Sequence, residues 1–182
     1  IKKSTNVKLG KRVTKGQFRG FPIFTLTLEE RATCPASCIH WDDCYGNNMM
    51  NATRYKADDA LIQQIESDLA HYQAKYPEGF LVRLHVLGDF FSVDYVAAWA
   101  KWLGMFPALH VYGYTANQYD AIDSNERAIG EALLSLRLAC GVRFAVRSSG
   151  SYTDSFAALS NDDNRSNALL ADKQAFLCPT QI

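Results

Sequence analysis

The sequence predicts an α/β fold in which parallel strands alternate with helices, and three observations lead there. Short runs rich in β-branched and aromatic residues recur four times along the 182 residues. Segments with apolar residues at helical spacing separate them, long enough for the crossovers that parallel strands need. Each run also ends in polar or thiol-bearing residues, and strand ends are where α/β sheets and βα barrels gather their functional groups. Residue pattern alone fits an open three-layer sheet and a partial βα barrel equally.

The elements follow in order. The first strand is "FPIFTLTL" (21–28), and the cysteine-rich loop 33–46 comes after it. The helix "ADDALIQQIESDLAHYQAKY" (57–76) sets Leu61, Ile62, Ile65, Leu69 and Tyr72 on one face behind an aspartate cap. The second strand lies in "GFLVRLHVLGDFF" (79–91). Ser92 then caps a helix in which Val93, Val96, Ala97 and Ala100 recur at helical spacing. "ALHVYGYT" (108–115) is the third strand, "SNERAIGEALLSLRLA" (124–139) the next helix and "GVRFAVRSS" (141–149) the fourth strand. From 151 to 176 the pattern weakens to one or two short helices among polar turns.

Composition sets limits. A content of 48% hydrophobic and 21% charged residues suits one folded domain with a sizeable core. No apolar run approaches the roughly 18 to 20 residues that span a bilayer, and the polar start carries no secretory pattern, so the cytoplasm is the expected location, with no membrane partner. Net charge is zero, but Lys2, Lys3, Lys8, Lys11, Arg12, Lys15 and Arg19 crowd the first twenty residues without an acidic neighbour. The chain therefore divides into a basic N-terminal arm, 1–20, and a single βα domain, 21–182. Such an arm suits nucleic-acid phosphates, and equally a solvated strand or a cover over the protein's own acidic surface.

Cys34, Cys38 and Cys44 lie within eleven residues. In a reducing compartment such clustering signals metal more often than disulfide, and soft thiolates suit zinc or an iron–sulfur cluster. Zinc would ask for a fourth ligand, from His40 or the distant Cys178. A [4Fe-4S] cluster on three cysteines keeps one iron open to a ligand. Cys140 reads as a small buried residue and His85 as a core histidine. Asp89 follows Gly88 where the second strand ends, and since Ser92 already serves as a cap, Asp89 is a candidate for function. Thr115 and Asn117, at the third strand end, either join the same site or form a turn.

Strand, "CPASC…CYG" loop and helix together resemble the first βα unit of the radical S-adenosylmethionine superfamily, although five residues, "IHWDD", stand where that family commonly has two. The resemblance implies that Cys34, Cys38 and Cys44 hold a [4Fe-4S] cluster, with zinc as the alternative. It implies that Gly88 and Asp89 match the turn that binds the methionine amino group, and that Arg147, Ser148 and Ser149 match residues holding the cofactor's carboxylate and ribose. The fold it implies is a partial (incomplete) TIM-like barrel. The activity it implies is reductive cleavage of S-adenosylmethionine and hydrogen abstraction from an unknown substrate, served by an electron donor.

A closer resemblance joins "NVKLG", "TCPASC", "HVLGDFFS", "YGYT" and "CPTQ", in that order, to a phage-encoded family of unknown function called gene product 88-like. It implies residence in the host cytoplasm. It also implies that Cys178 belongs to a second, cysteine-rich site if the chain continues past it. Two readings without this catalysis stand beside the enzyme: a metal-stabilised module that binds nucleic acid or another partner, and an electron-transfer protein.

Overall fold

The computed structural model describes residues 1–5 and 9–149, with the backbone of residues 156–158 and 175–177 beyond them. Among the described residues seven strands form one sheet: β1 (Lys2–Lys3), β2 (Ile23–Thr25), β3 (Phe80–Leu84), β4 (Leu109–Thr115), β5 (Phe144–Ser149), β6 (Phe156–Ala158) and β7 (Ala175–Leu177). The helices are α1 (Glu30–Thr33), α2 (Asp59–Lys75), α3 (Val93–Met105) and α4 (Ser124–Cys140). Each strand pairs with the next one in the chain. β1 runs antiparallel to β2, and every later pair is parallel.

Right-handed crossovers that always step to the next strand keep their helices on one side of a sheet, and the core shows this. Phe24, Phe80, Val82, Leu84, Leu109, Val111, Phe144 and Val146 of the sheet form one buried cluster with Leu61, Ile65 and Leu69 of α2, Trp99 and Trp102 of α3, and Ile129, Leu133 and Leu136 of α4. In β4 the alternation is strict: Leu109, Val111, Gly113 and Thr115 are buried, whereas His110, Tyr112 and Tyr114 point to the other face and are half-buried. The sheet is open, with β1 and β7 as its edges, and no barrel closes among the described residues. The expectation of a TIM-like barrel is corrected to an open, mostly parallel sheet that ends in an antiparallel edge.

The caps are as the sequence suggests. Asp58 accepts from Leu61 N at 2.9 Å and Ser92 from Tyr95 N at 3.1 Å. The buried face of α3 differs from expectation. Tyr95, Val96, Trp99, Trp102 and Leu103 face the core, while Val93 is 42% exposed. Three aromatic rings at this spacing remove more apolar area from water than the small residues beside them, so they decide the helix's rotation.

The basic N-terminal segment is woven onto the sheet edge. Lys2–Lys3 is a strand, and the chain folds back so that Ile23 N donates to Lys11 O and Val13 N to Phe21 O, both at 3.0 Å. Phe18 and Phe21 pack on His110, with ring centroids 4.6 and 5.8 Å away. Lys2, Lys3, Lys11, Arg12, Lys15 and Arg19 remain exposed; Lys8 lies outside the described residues. In the stretch expected to carry short helices, the described segments are the strands β6 and β7. No helix among the described residues is long and apolar enough to cross a membrane.

Candidate metal centre at the strand ends

The cysteine loop starts where β2 gives out. After the buried Leu26 and Leu28, α1 makes a single turn, and Cys34 follows it in extended conformation. Thr33, the last residue of α1, is buried. Its hydroxyl donates to Glu29 O at 2.8 Å and accepts from Asp89 N at 3.2 Å, tying the start of the loop to the turn after β3. That turn needs a glycine. Gly88 has φ +82°, and a Cβ there would come within 2.6 Å of both Leu28 Cβ and Thr33 Oγ1.

Asp89 is only 3% exposed. Its Oδ1 accepts from Phe90 N and Thr115 Oγ1, and its Oδ2 from Ala116 N, each at 2.7 Å. Asn117 completes the arrangement by donating through Nδ2 to Phe90 O at 3.0 Å. Burial pushes the Asp89 carboxyl up to about 6, while the bonds from Ala116, Thr115 and Phe90 pull the other way. The network latches the end of β3 to the end of β4 immediately beside the cysteine loop.

Two further ties hold the loop. Arg54 donates a bidentate pair of hydrogen bonds to the Glu30 carboxylate, Nε to Oε2 at 2.7 Å and Nη2 to Oε1 at 2.8 Å. It also donates to the carbonyls of Gly46, Met49 and Ala52, fixing the 3-10 turn Tyr45–Asn48 directly after Cys44. Glu126, buried in the first turn of α4, accepts from Ser37 Oγ at 2.6 Å next to Cys38. Outside these, Arg31 donates to Trp41 O and lies over the Trp41 ring at 4.9 Å. Every cysteine of the loop thus stands within two residues of an anchored residue: Thr33 and Ser37 through their hydroxyls, Gly46 through the carbonyl that Arg54 holds.

Cys34, Cys38 and Cys44 are free and half-buried. Burial, then Asp89, then the thiols of Cys38 and Cys44, push Cys34 up to about 12. Cys38 is also raised, first by burial, with a bond to the His40 backbone opposing and Asp89, Cys44 and Asp43 adding to it. Cys34 and Cys38 are therefore protonated thiols near neutral pH, and a soft cation would bind them by displacing those protons. Among the described residues no three His, Cys, Asp or Glu side chains converge as they stand to hold an ion. The donor chemistry fits a thiophilic metal; the approach of the sulfurs would have to be completed by binding.

The other candidates fall into separate places. Thr115, Asn117 and Ser148 line a cavity of about 10 Å³ between the strand ends and α4, room for a single water. Arg147 and Ser149 alternate with Ser148 and so face the opposite side of the sheet. Ser149 O accepts from Gln118 Nε2 at 3.2 Å. His40 Nδ1 meets Asp43 Oδ1 at 3.1 Å within the loop. His85 is buried against Tyr95 and Phe90, and Cys140 packs against the core. Cys178 lies outside the described residues.

Sequence reasoning missed Thr33, Glu30, Arg54, Ser37 and Glu126. Only Glu126 carries a recognisable signal, and a misleading one: Asp123-x-x-Glu126 has the spacing of a capping box, yet the carboxylate reaches Ser37.

Comparison with known proteins matches residues 1–131 to the family described as gene product 88. No curated protein and no solved structure matches. The matched span contains β1 to β4, the cysteine loop, the Asp89 latch and the start of α4. This chain belongs to the gene product 88 family, the phage gene-product family its motifs resemble.

Proposed function

We propose that the chain is an iron–sulfur protein in which Cys34, Cys38 and Cys44 hold a [4Fe-4S] cluster at the carboxyl ends of the parallel strands. The observation that carries this reading is the anchoring of one loop beside each of three free thiols. Three thiolates leave one position open, which a cluster tolerates, whereas structural zinc would need a fourth ligand such as His40 or Cys178. When reduced, such a cluster supplies a single electron. The ligand implied by the resemblance is S-adenosylmethionine, cleaved reductively to start hydrogen abstraction from a substrate. In that reading Arg147 and Ser149 serve the ligand from the side of the sheet turned away from the helices. Asp89, already held by three donors, positions the loop and adds negative charge beside it.

Anaerobic purification followed by iron, sulfide and zinc analysis tests the cluster. Iron and sulfide that disappear together in Cys34→Ser, Cys38→Ser and Cys44→Ser support it; a colourless protein with one zinc per chain sinks it. Titration with S-adenosylmethionine tests the ligand: an unchanged electron paramagnetic resonance signal of the reduced cluster removes the radical chemistry and leaves the cluster. The exposed lysines and arginines of the N-terminal segment support a second reading, a metal-stabilised nucleic-acid-binding module. Its mark is affinity that drops steeply with salt.

A further inference from the structure

Tyr95 and His85 bury more polarity than packing asks for. Tyr95 is 1% and His85 5% exposed, and the phenol oxygen lies 3.2 Å from His85 Nε2 while His85 Nδ1 has no hydrogen-bond partner. Two apolar side chains of the same shape would fill this space and leave no hydrogen bond unmet. Burial, with the charge of Arg83 adding to it, lowers His85 to about 3, so the ring is neutral and carries one proton. With that proton on Nδ1, the Tyr95 hydroxyl donates to Nε2 and one polar group goes unanswered; with it on Nε2, the phenolic hydrogen and Nδ1 both do. The first arrangement is therefore favoured, and it leaves Nε2 as an acceptor aimed at the phenol. Burial, with the Asp89 carboxylate adding, pushes the Tyr95 phenol well up, so the hydroxyl keeps its proton unless the ring itself is changed.

The Tyr95 ring is also one end of an aromatic file along α3. Trp99 stands 6.2 Å from it, centroid to centroid, and Trp102 stands 5.0 Å from Trp99, with both indoles buried. The far end of the file meets a charge. Trp102 Nε1 donates to Glu66 Oε2 at 2.8 Å, and the same oxygen accepts from Lys101 Nζ at 3.0 Å; the Glu66 and Lys101 side chains both reach solvent. The bonds from Trp102 and then Lys101 hold the Glu66 carboxyl below its ordinary value, so it stays ionised, and a negative charge beside an indole eases the loss of an electron from it. Tyrosine and tryptophan rings give up an electron more readily than the other aromatic side chains, and rings this close pass one between them.

We propose that Tyr95 is a redox-active tyrosine, reached through Trp102 and Trp99 and paired with His85 as its proton acceptor. A one-electron oxidant of the carbonate-radical class, arriving beside Glu66, takes an electron from Trp102 and leaves as carbonate. Trp99 then refills Trp102. Tyr95 refills Trp99, and its phenolic proton, made strongly acidic by the loss of the electron, passes to His85 Nε2. The products are a neutral phenoxyl radical and an imidazolium, held in the core away from solvent. The file shares no residue with the cysteine loop, so the activity stands whether or not that loop holds a cluster.

Flash-quench oxidation of the full chain with photogenerated tris(bipyridine)ruthenium(III) tests it, with ascorbate added afterwards to remove radicals at the surface and electron paramagnetic resonance as the readout. The expected result is a tyrosyl signal that outlives ascorbate in the wild type and is lost in Tyr95→Phe, in Trp99→Phe and in His85→Phe. No persistent tyrosyl signal in the wild type overturns the proposal, as does a signal that keeps its yield in any of the three variants. If a variant does not fold, the wild type still decides. Electron–nuclear double resonance of the persistent radical should show an exchangeable proton on the phenoxyl oxygen and coupling to isotope-labelled histidine nitrogen, and a radical without that histidine coupling overturns the proposal.

Discussion

Replacing Thr33 by valine removes one hydroxyl and almost no volume, at the point where the cysteine loop meets the turn after β3. The backbone N–H of Asp89 has the Thr33 oxygen as its partner at 3.2 Å, and both residues are buried. An orphaned buried donor costs about 1–3 kcal/mol. The bond from the hydroxyl to Glu29 O is lost as well, but that carbonyl keeps the backbone N–H of Thr33 at 3.1 Å, so this part adds only about 0.5–1 kcal/mol. Thr33→Val should therefore destabilise the fold by about 1.5–4 kcal/mol, a melting point lower by roughly 3–16 °C for a chain of this size. Thr33→Ser keeps the hydroxyl and gives up one buried methyl, about 1 kcal/mol. Thermal unfolding followed by circular dichroism separates the two variants. Thr33→Val melting with the wild type, or Thr33→Ser melting as low as Thr33→Val, refutes the assignment of this hydroxyl as the tie.

His85 predicts how stability responds to acid. Burial, with the charge of Arg83 adding to it, lowers its pKa from 6.5 to about 3, so the unfolded chain takes up the proton first. This contribution is full above pH 6.5 and is lost as pH falls toward 3, amounting to about 2 kcal/mol by pH 5. Urea unfolding at pH 7 and pH 5 should show this loss in the wild type and not in His85→Phe; equal losses in both would contradict it. Arg54→Met frees the carbonyls of Gly46, Met49 and Ala52 and leaves Glu30 unpaired. Loosening that turn by about 1 kcal/mol raises its open population about fivefold. Maleimide labelling of Cys44 should accelerate to match, and an unchanged rate would show that Arg54 does not hold the turn.

The periodic parts of this fold were legible and the non-periodic parts were not. Helices and strands leave a repeat in the sequence, so α2 with Leu61, Ile65 and Leu69 inward, and β4 with its strict alternation, could be read directly. Where two apolar faces competed on α3, small residues at helical spacing misled, because the burial of Tyr95, Trp99 and Trp102 outweighs them. The open edge at β1 could not be read either: two lysines give no hint of pairing with β2. At the candidate centre the cysteines announced themselves through spacing, and Asp89 through its place after a strand. Their supports did not. Thr33 with Asp89, Ser37 with Glu126 and Glu30 with Arg54 are pairings of ordinary residues far apart in the chain, and a hydrogen bond across such a distance imposes no pattern on what lies between.

The three ties on the cysteine loop close over very different lengths of chain: 24 residues for Glu30 and Arg54, 56 for Thr33 and Asp89, and 89 for Ser37 and Glu126. The entropy of closing a loop rises with its length, and during synthesis the longer spans must also wait for their second partner to be made. Maturation of the loop therefore has a direction. The Arg54 clasp frames Cys44 while β2 still lacks its parallel neighbour β3, the arrival of β3 fixes the approach to Cys34, and α4 secures the segment before Cys38 last. If the loop holds the proposed cluster, a thiophilic ion that reached the growing chain early would meet one framed thiol and two loose ones, and its capture by all three would belong to the end of assembly.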